Sequence, residues 1–117
     1  MSQISGLLRP HEHRWPKGPG RVQAEVARLY NVTLDDMRAS TRRGARAAFA
    51  RQVAMYLMHV VYRLSLAEAA GHFGRDRSTA LHACRHVEDL RDDDHFDREL
   101  LDLENILLEA ADMEVAG

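Results

Sequence analysis

The segment Gly74-Arg75-Asp76-Arg77-Ser78-Thr79-Ala80-Leu81-His82-Ala83-Cys84-Arg85-His86-Val87 constrains this chain more than any other. A glycine turn opens a helix there, and the helix has two unlike faces. At about 100° per residue, Ala80, Leu81, Cys84 and Val87 share an apolar arc, while Ser78, His82, Arg85 and Asp89 line the other side. Burial accounts for the first arc only. Charged and hydrogen-bonding groups gathered at the first turn of the second arc suit a helix that enters a DNA major groove by its N-terminus.

The residues just upstream fit the same reading. Ser65-Leu66-Ala67-Glu68 has the Ser-x-x-Glu spacing of a capping box, in which each side chain satisfies an orphan backbone N–H. Leu66, Ala69, Ala70 and Phe73 then form one apolar stripe, and Gly74 stands where a left-handed residue ends a helix. Asp76 or Ser78 can cap the helix that follows. A short capped helix, a glycine-containing turn and a second helix make a helix-turn-helix. Many helical hairpins share that outline without touching DNA, so geometry alone does not decide function.

The residues narrow the choice. Phe73 through Arg85 closely resembles the signature of the C-terminal DNA-binding domain of the bacterial replication initiator DnaA, whose pattern reads Gly-Arg-Asp-His-(Ser/Thr)-Thr-Val-Leu-His-Ala. The resemblance extends through Arg51-Gln52-Val53-Ala54-Met55-Tyr56-Leu57, Leu64 to Glu68, Val26 to Val32, Asp35-Asp36-Met37 and Val87 to Arg91, covering roughly residues 21 to 108. It implies an all-α fold: a compact helical domain with a helix-turn-helix, DnaA domain IV-like and Trp-repressor-like, of about five to six helices. The function it implies is sequence-preferring binding of double-stranded DNA, regulating replication initiation or transcription.

At 117 residues the chain holds one domain with a single modest core. The Gly-x-x-x-x-Gly-Lys-(Ser/Thr) phosphate loop of the initiator's ATPase is missing, and the only lysine, Lys17, sits in a Pro/Gly-rich segment. The expectation is the family's DNA-reading module standing alone, neither an enzyme nor a nucleotide binder, with no cofactor. The lone Cys84 excludes an internal disulfide and agrees with a reducing cytoplasm, and the DNA binding that the resemblance implies makes the expected location the cytoplasm, at the nucleoid. No stretch approaches the ~18 apolar residues of a membrane span, and the N-terminus lacks the apolar core of a secretory signal.

A formal net charge of −2 looks wrong for DNA, but the charge is unevenly spread. Residues 1–51 carry a net of +6, residues 52–87 a net of +2, and residues 88–117 a net of −10. Charges separated by more than a Debye length, roughly 8–10 Å in physiological salt, are largely screened, so DNA responds to the basic body and not to the whole-chain sum.

Residues 1–19, with all three prolines, read as a mobile N-terminal arm; 20–112 as the DnaA domain IV-like domain; 113–117 as a disordered tail. Within the domain the pattern predicts a helix from Val22 to Tyr30, with Val22, Val26, Leu29 and Tyr30 inward and Asn31 as its stop. Thr33 caps a short helix carrying Leu34 and Met37. A basic loop, Thr41 to Arg46, leads into a long helix with Phe49, Val53, Tyr56, Leu57, Val60, Val61 and Leu64 at spacings of three and four. The helix-turn-helix pair follows, and a last helix starts near His95.

The candidate DNA-binding residues are Arg42, Arg43, Arg46, Arg51, Arg75, Asp76, Arg77, Ser78, Thr79, His82 and Arg85. By resemblance, Arg43 enters the minor groove, whose narrow A·T-rich form attracts guanidinium groups, and Arg51 grips a phosphate. Loop arginines can also merely solvate, and Arg51 can also be one half of a surface ion pair. Asp76 can accept from a base amino group, cap its helix, or both. Thr79 offers a methyl to thymine and a hydroxyl to phosphate or base; Ser78 suits a positioning contact, and His82 a phosphate or plain solvent.

Three departures from the family pattern stand out. Arg77 replaces a base-reading histidine, and arginine suits bidentate pairing with guanine. Gly74 stands where the initiator usually has two glycines. His59 replaces a position that is often Lys or Arg. Together they imply an altered or relaxed sequence preference. The pair His82 and His86 is no metal site, because Cys84 projects about 160° away from it, and no glycine-framed serine suggests catalysis.

The last helix carries Phe96, Leu100, Leu103, Leu107 and Ala110 at steps of four and three, widened by Leu101, Ile106 and Leu108. This seam can close the core, pair with a second copy to form a homodimer, or dock a basic partner through its acidic side. The alternative function is therefore a protein-interaction adaptor that keeps the fold and binds a replication protein or itself through this helix.

Overall fold

The computed structural model describes residues 16–40 and 44–116, the last two as backbone only. Among them six helices run in the order α1 (Gly18–Tyr30), α2 (Leu34–Arg38), α3 (Ala45–Val60), α4 (Leu66–Gly71), α5 (Arg77–Leu90) and α6 (Asp94–Ala116), with no strand. The all-α expectation and the helix-turn-helix pair hold.

Local chemistry sets most helix ends. Thr33 caps α2, its hydroxyl accepting from the Asp36 N–H at 3.0 Å. Ser65 and Glu68 form both arms of the capping box on α4, at 3.0 and 2.7 Å. One C-terminal device recurs three times. Asn31 (φ 55°), Arg63 (φ 63°) and Gly74 (φ 66°) each take the left-handed conformation. The next residue's N–H then reaches back to an earlier carbonyl: five positions for Val32 to Ala27 and Arg75 to Ala70, both at 3.0 Å, and six for Leu64 to Met58 at 3.2 Å. The five-position form, at Asn31 and Gly74, is the Schellman closure, and the Arg63 turn is one residue wider; each satisfies a carbonyl that a helix end leaves orphaned.

Helix α3 is the axle. Val53 through Met58 are six consecutive buried residues, so its middle is enclosed on every side rather than along one stripe. It packs against α1, α2, α4 and α5. The sequence pattern places Val60 inward, but it is exposed at the last turn; Val61 and Leu64 are buried beyond the helix, delivered by the Arg63 turn. On α1, Val22 and Val26 are fully buried, but Leu29, expected inward, is 39% exposed and Tyr30 only half-buried. Ala27 and Gln23 fill the inner face instead, because the buried arc is centred between Val22 and Val26.

The N-terminus of α1 lies earlier than the sequence boundary at residue 20 suggests. Pro19 sits in its first turn, where its missing N–H costs nothing. Gly18 lies against the Tyr62 ring; a Cβ at Gly18 would sit 3.0 Å from Tyr62 Cγ. The Tyr62 hydroxyl donates to the Leu107 carbonyl on α6 at 2.9 Å and accepts from Arg21 Nη1 at 3.3 Å. Arg21 also pairs with Glu114 at 3.2 Å. With this latch at its end α6 is helical through residues 113–116, where the sequence pattern predicts a tail. The first fifteen residues of the expected arm lie outside the described residues.

Helix α6 spends its apolar seam on the core. Leu100, Leu103, Leu107 and Ala111 are buried and Phe96 partly so, while Leu101, Ile106 and Leu108 remain about half exposed. Ala111, not Ala110, completes the seam. Arg91, after α5, fixes the start of α6: it donates to Asp97 and to Glu104 (2.7 Å) on α6 and to the Tyr56 hydroxyl (3.0 Å) on α3.

Candidate nucleic-acid interface

The site is built around the N-terminus of α5. Asp76 is its cap, and one carboxylate oxygen, Oδ1, accepts three hydrogen bonds: from the Ser78 hydroxyl at 2.9 Å, the Thr79 N–H at 3.1 Å and the Thr79 hydroxyl at 3.1 Å. These donors, the Ser78 hydroxyl foremost, hold the Asp76 carboxyl below its ordinary pKa. Of the two residues that can cap this helix from sequence, Asp76 does so, and Ser78 serves it. Asp76, Arg77, Ser78 and Thr79 are all exposed, so the first turn is an ordered polar surface facing solvent.

Further along α5, His82 and Arg85 are exposed on one face, and among the described residues neither their side chains nor that of Arg77 makes a hydrogen bond or ion pair. The opposite face is the expected apolar arc with two adjustments. Ala80, Cys84 and Val87 are buried as read, Ala83 joins them, and Leu81 lies at the margin, because the arc centres on positions 80, 84 and 87. Burial pushes the Cys84 thiol up to about 11, with the Glu88 charge adding to it.

Two arginines meet beside this turn. Arg51 of α3 is only 9% exposed and donates Nε to the Met37 carbonyl at 2.9 Å. Arg75, at the turn itself, donates Nη1 to the Ala39 carbonyl at 3.1 Å and to the Phe73 carbonyl at 2.7 Å. Both therefore cap the C-terminal end of α2, where unpaired carbonyls and the helix dipole favour cations. Among the described residues Arg51 has no acidic partner. Burial, and secondly the Arg75 charge, lower its pKa.

Among the described residues Arg51 thus makes no surface ion pair and instead holds a backbone carbonyl. Arg75 is half-buried and clamps α2 to the turn. Arg46 is exposed in the first turn of α3, whereas Arg42 and Arg43 lie outside the described residues.

The sequence pattern misses one further basic group, Arg63, exposed in the left-handed turn that leads into α4. Nothing in its neighbours signals that turn, which lacks Gly and Asn. His59 is half-buried with Nδ1 2.7 Å from the Leu64 carbonyl, so that nitrogen donates to the same turn. Among the described residues no group of three or more His, Cys, Asp or Glu is placed to hold a metal ion, and no helix is long and apolar enough to cross a membrane.

A capped short helix, a glycine closure and a longer helix with a solvent-facing first turn define a helix-turn-helix domain. The sequence model described as bacterial dnaA protein helix-turn-helix matches residues 19–87. The chromosomal replication initiator protein DnaA of Nitrobacter hamburgensis is 44% identical over 89 residues, covering 75% of this chain and 18% of that protein. Its counterpart in Nitrobacter winogradskyi gives the same figures, and that of Rhodopseudomonas palustris strain BisB5 is 43% identical over 89 residues. This chain belongs to the bacterial DnaA helix-turn-helix family. It spans under a fifth of the length of these relatives.

Proposed function

We propose that the chain binds double-stranded DNA and regulates replication initiation or transcription at the nucleoid, with no ATP hydrolysis of its own. The first turn of α5 enters the major groove, the loop carrying Arg42 and Arg43 reaches the adjacent minor groove, and Arg46 and Arg51 meet phosphates between them. The observation that supports this most directly is the ordered first turn: Asp76 holds Ser78 and Thr79 in place while Arg77 stands unpaired among the described residues. A buried guanidinium without an acid beside it is costly in a free protein and is relieved by a bound phosphate.

Arg77 gives the reading its specific content. Arginine at this position favours guanine, through O6 and N7, where the family pattern has histidine. Selection from random duplexes, followed by mobility shifts at two salt concentrations against an initiator-type box and a scrambled duplex, tests it. Salt-sensitive binding is expected, with sequence-independent affinity around a Kd of 10⁻⁴–10⁻⁶ M and tighter binding to selected sites. Recovery of the unmodified initiator box as sole preferred site refutes the altered preference; absence of duplex binding refutes the function.

A further inference from the structure

The surface least explained by DNA binding lies between α1 and α6. An apolar groove of about 300 Å³ runs there, with Leu103 on its floor and Leu29 and Ile106 on its walls. Leu29 is 39% and Ile106 47% exposed, an arrangement that costs the isolated domain burial it could otherwise have. The rim is acidic: Glu25, Glu99 and Asp102 line it, and the one cation there, Arg28, is paired with Glu25 at 3.3 Å. Past Ile106 the apolar edge continues to Met113, 74% exposed and seven residues on, about 10 Å along the helix. None of these groove residues belongs to the helix-turn-helix, and α6 lies beyond Val87, where the family match ends.

We propose that this groove is a docking site for a basic amphipathic helix of another protein. An apolar seam seven residues long is the footprint of a partner helix presenting side chains at i, i+3 or i+4, and i+7. The charge selects the occupant. Helix α6 carries eight carboxylates against one arginine, Arg98, so a second copy laid on it would set acid against acid, and nucleic acid would be repelled. Lysine or arginine flanking an apolar stripe matches both the rim and the floor.

The test is a titration of the ¹⁵N-labelled full chain with a helical leucine–lysine peptide bearing leucines at i, i+3, i+4 and i+7, and with the same peptide carrying glutamate for lysine. The lysine peptide is expected to shift the amides of Leu29, Asp102 and Ile106, and the glutamate peptide to leave them in place. Asp102→Lys and Ile106→Asn, both at exposed positions, are each expected to weaken binding about tenfold, with circular dichroism verifying the fold and duplex binding unchanged. Shifts scattered over the other carboxylates, or no shifts, overturn the proposal. So does self-association in sedimentation that Ile106→Asn abolishes, or nuclear Overhauser contacts placing residues 1–15 against Leu29 and Ile106.

Discussion

Arg51 and Arg75 come from different elements and cap the same helix end, one on the Met37 carbonyl and the other on the Ala39 carbonyl, with no acid between them among the described residues. Two like charges held close in a partly desolvated place oppose folding and await an anion. Arg51→Met keeps the volume and removes the charge. It is expected to leave thermal stability unchanged or raised, while weakening DNA of every sequence alike and lowering the salt slope by about one. A destabilised variant with intact DNA affinity would reverse the assignment.

Arg77 should behave oppositely. Its side chain is exposed and makes no bond among the described residues, so Arg77→Ala costs the fold little. Each good bidentate base contact is worth about 1–3 kcal/mol of discrimination, so the expected loss is in preference between selected and scrambled duplexes. Competition binding reads this directly, and equal weakening on both duplexes would make Arg77 a phosphate contact.

Asp76 links pH to this surface. Its folded pKa is lowered by Ser78 and Thr79, so its stabilisation is present above the unfolded value near 4 and is lost as pH falls through the folded one. Asp76→Ala should lower the melting temperature at pH 7 and remove that acid dependence, with Asp76→Asn intermediate because the amide oxygen still caps. Melting curves between pH 2 and pH 7 check it.

Much of this was legible from sequence because caps are local. Thr33, Asn31, the Ser65–Glu68 box and Gly74 announce themselves within four residues, and the buried arc of α5 follows from helical period. The Arg51 and Arg75 clamps were not legible. Their acceptors are backbone carbonyls 14 and 36 residues away, and a carbonyl has no residue type to read. Leu29 misled for a related reason: the direction of the core about α1 depends on where α3 and α6 lie. The left-handed Arg63 carries no compositional mark at all.

Arg63 and Gly74 share a left-handed φ at the ends of two helices, and no atom crowds a Cβ at Gly74. The conformational preference is therefore isolated from packing. Gly74→Ala is expected to cost about 1–2 kcal/mol, and Arg63→Gly to stabilise by up to about 1 kcal/mol. Chemical denaturation of both variants tests the pair.

All three tyrosines have raised pKa values, chiefly through burial: Tyr30, Tyr56 and Tyr62. For a group raised in the folded state, the stabilisation is complete below the unfolded value near 10 and vanishes as pH climbs through the folded one. Phenolate absorbance should thus lag that of free tyrosine and rise together with loss of helical ellipticity. Ionisation near pH 10 in a still-helical protein would contradict the burial.

The Lys17 backbone N–H lies 3.2 Å from Glu114 Oε2, so the start of α1 and the end of α6 meet. A short bridge could close these positions into a ring, and the backbone could be cut anew at the exposed Asp92–Asp93 turn without altering the topology of the core. Such a rewired polypeptide should refold, with α6 leading instead of trailing in synthesis.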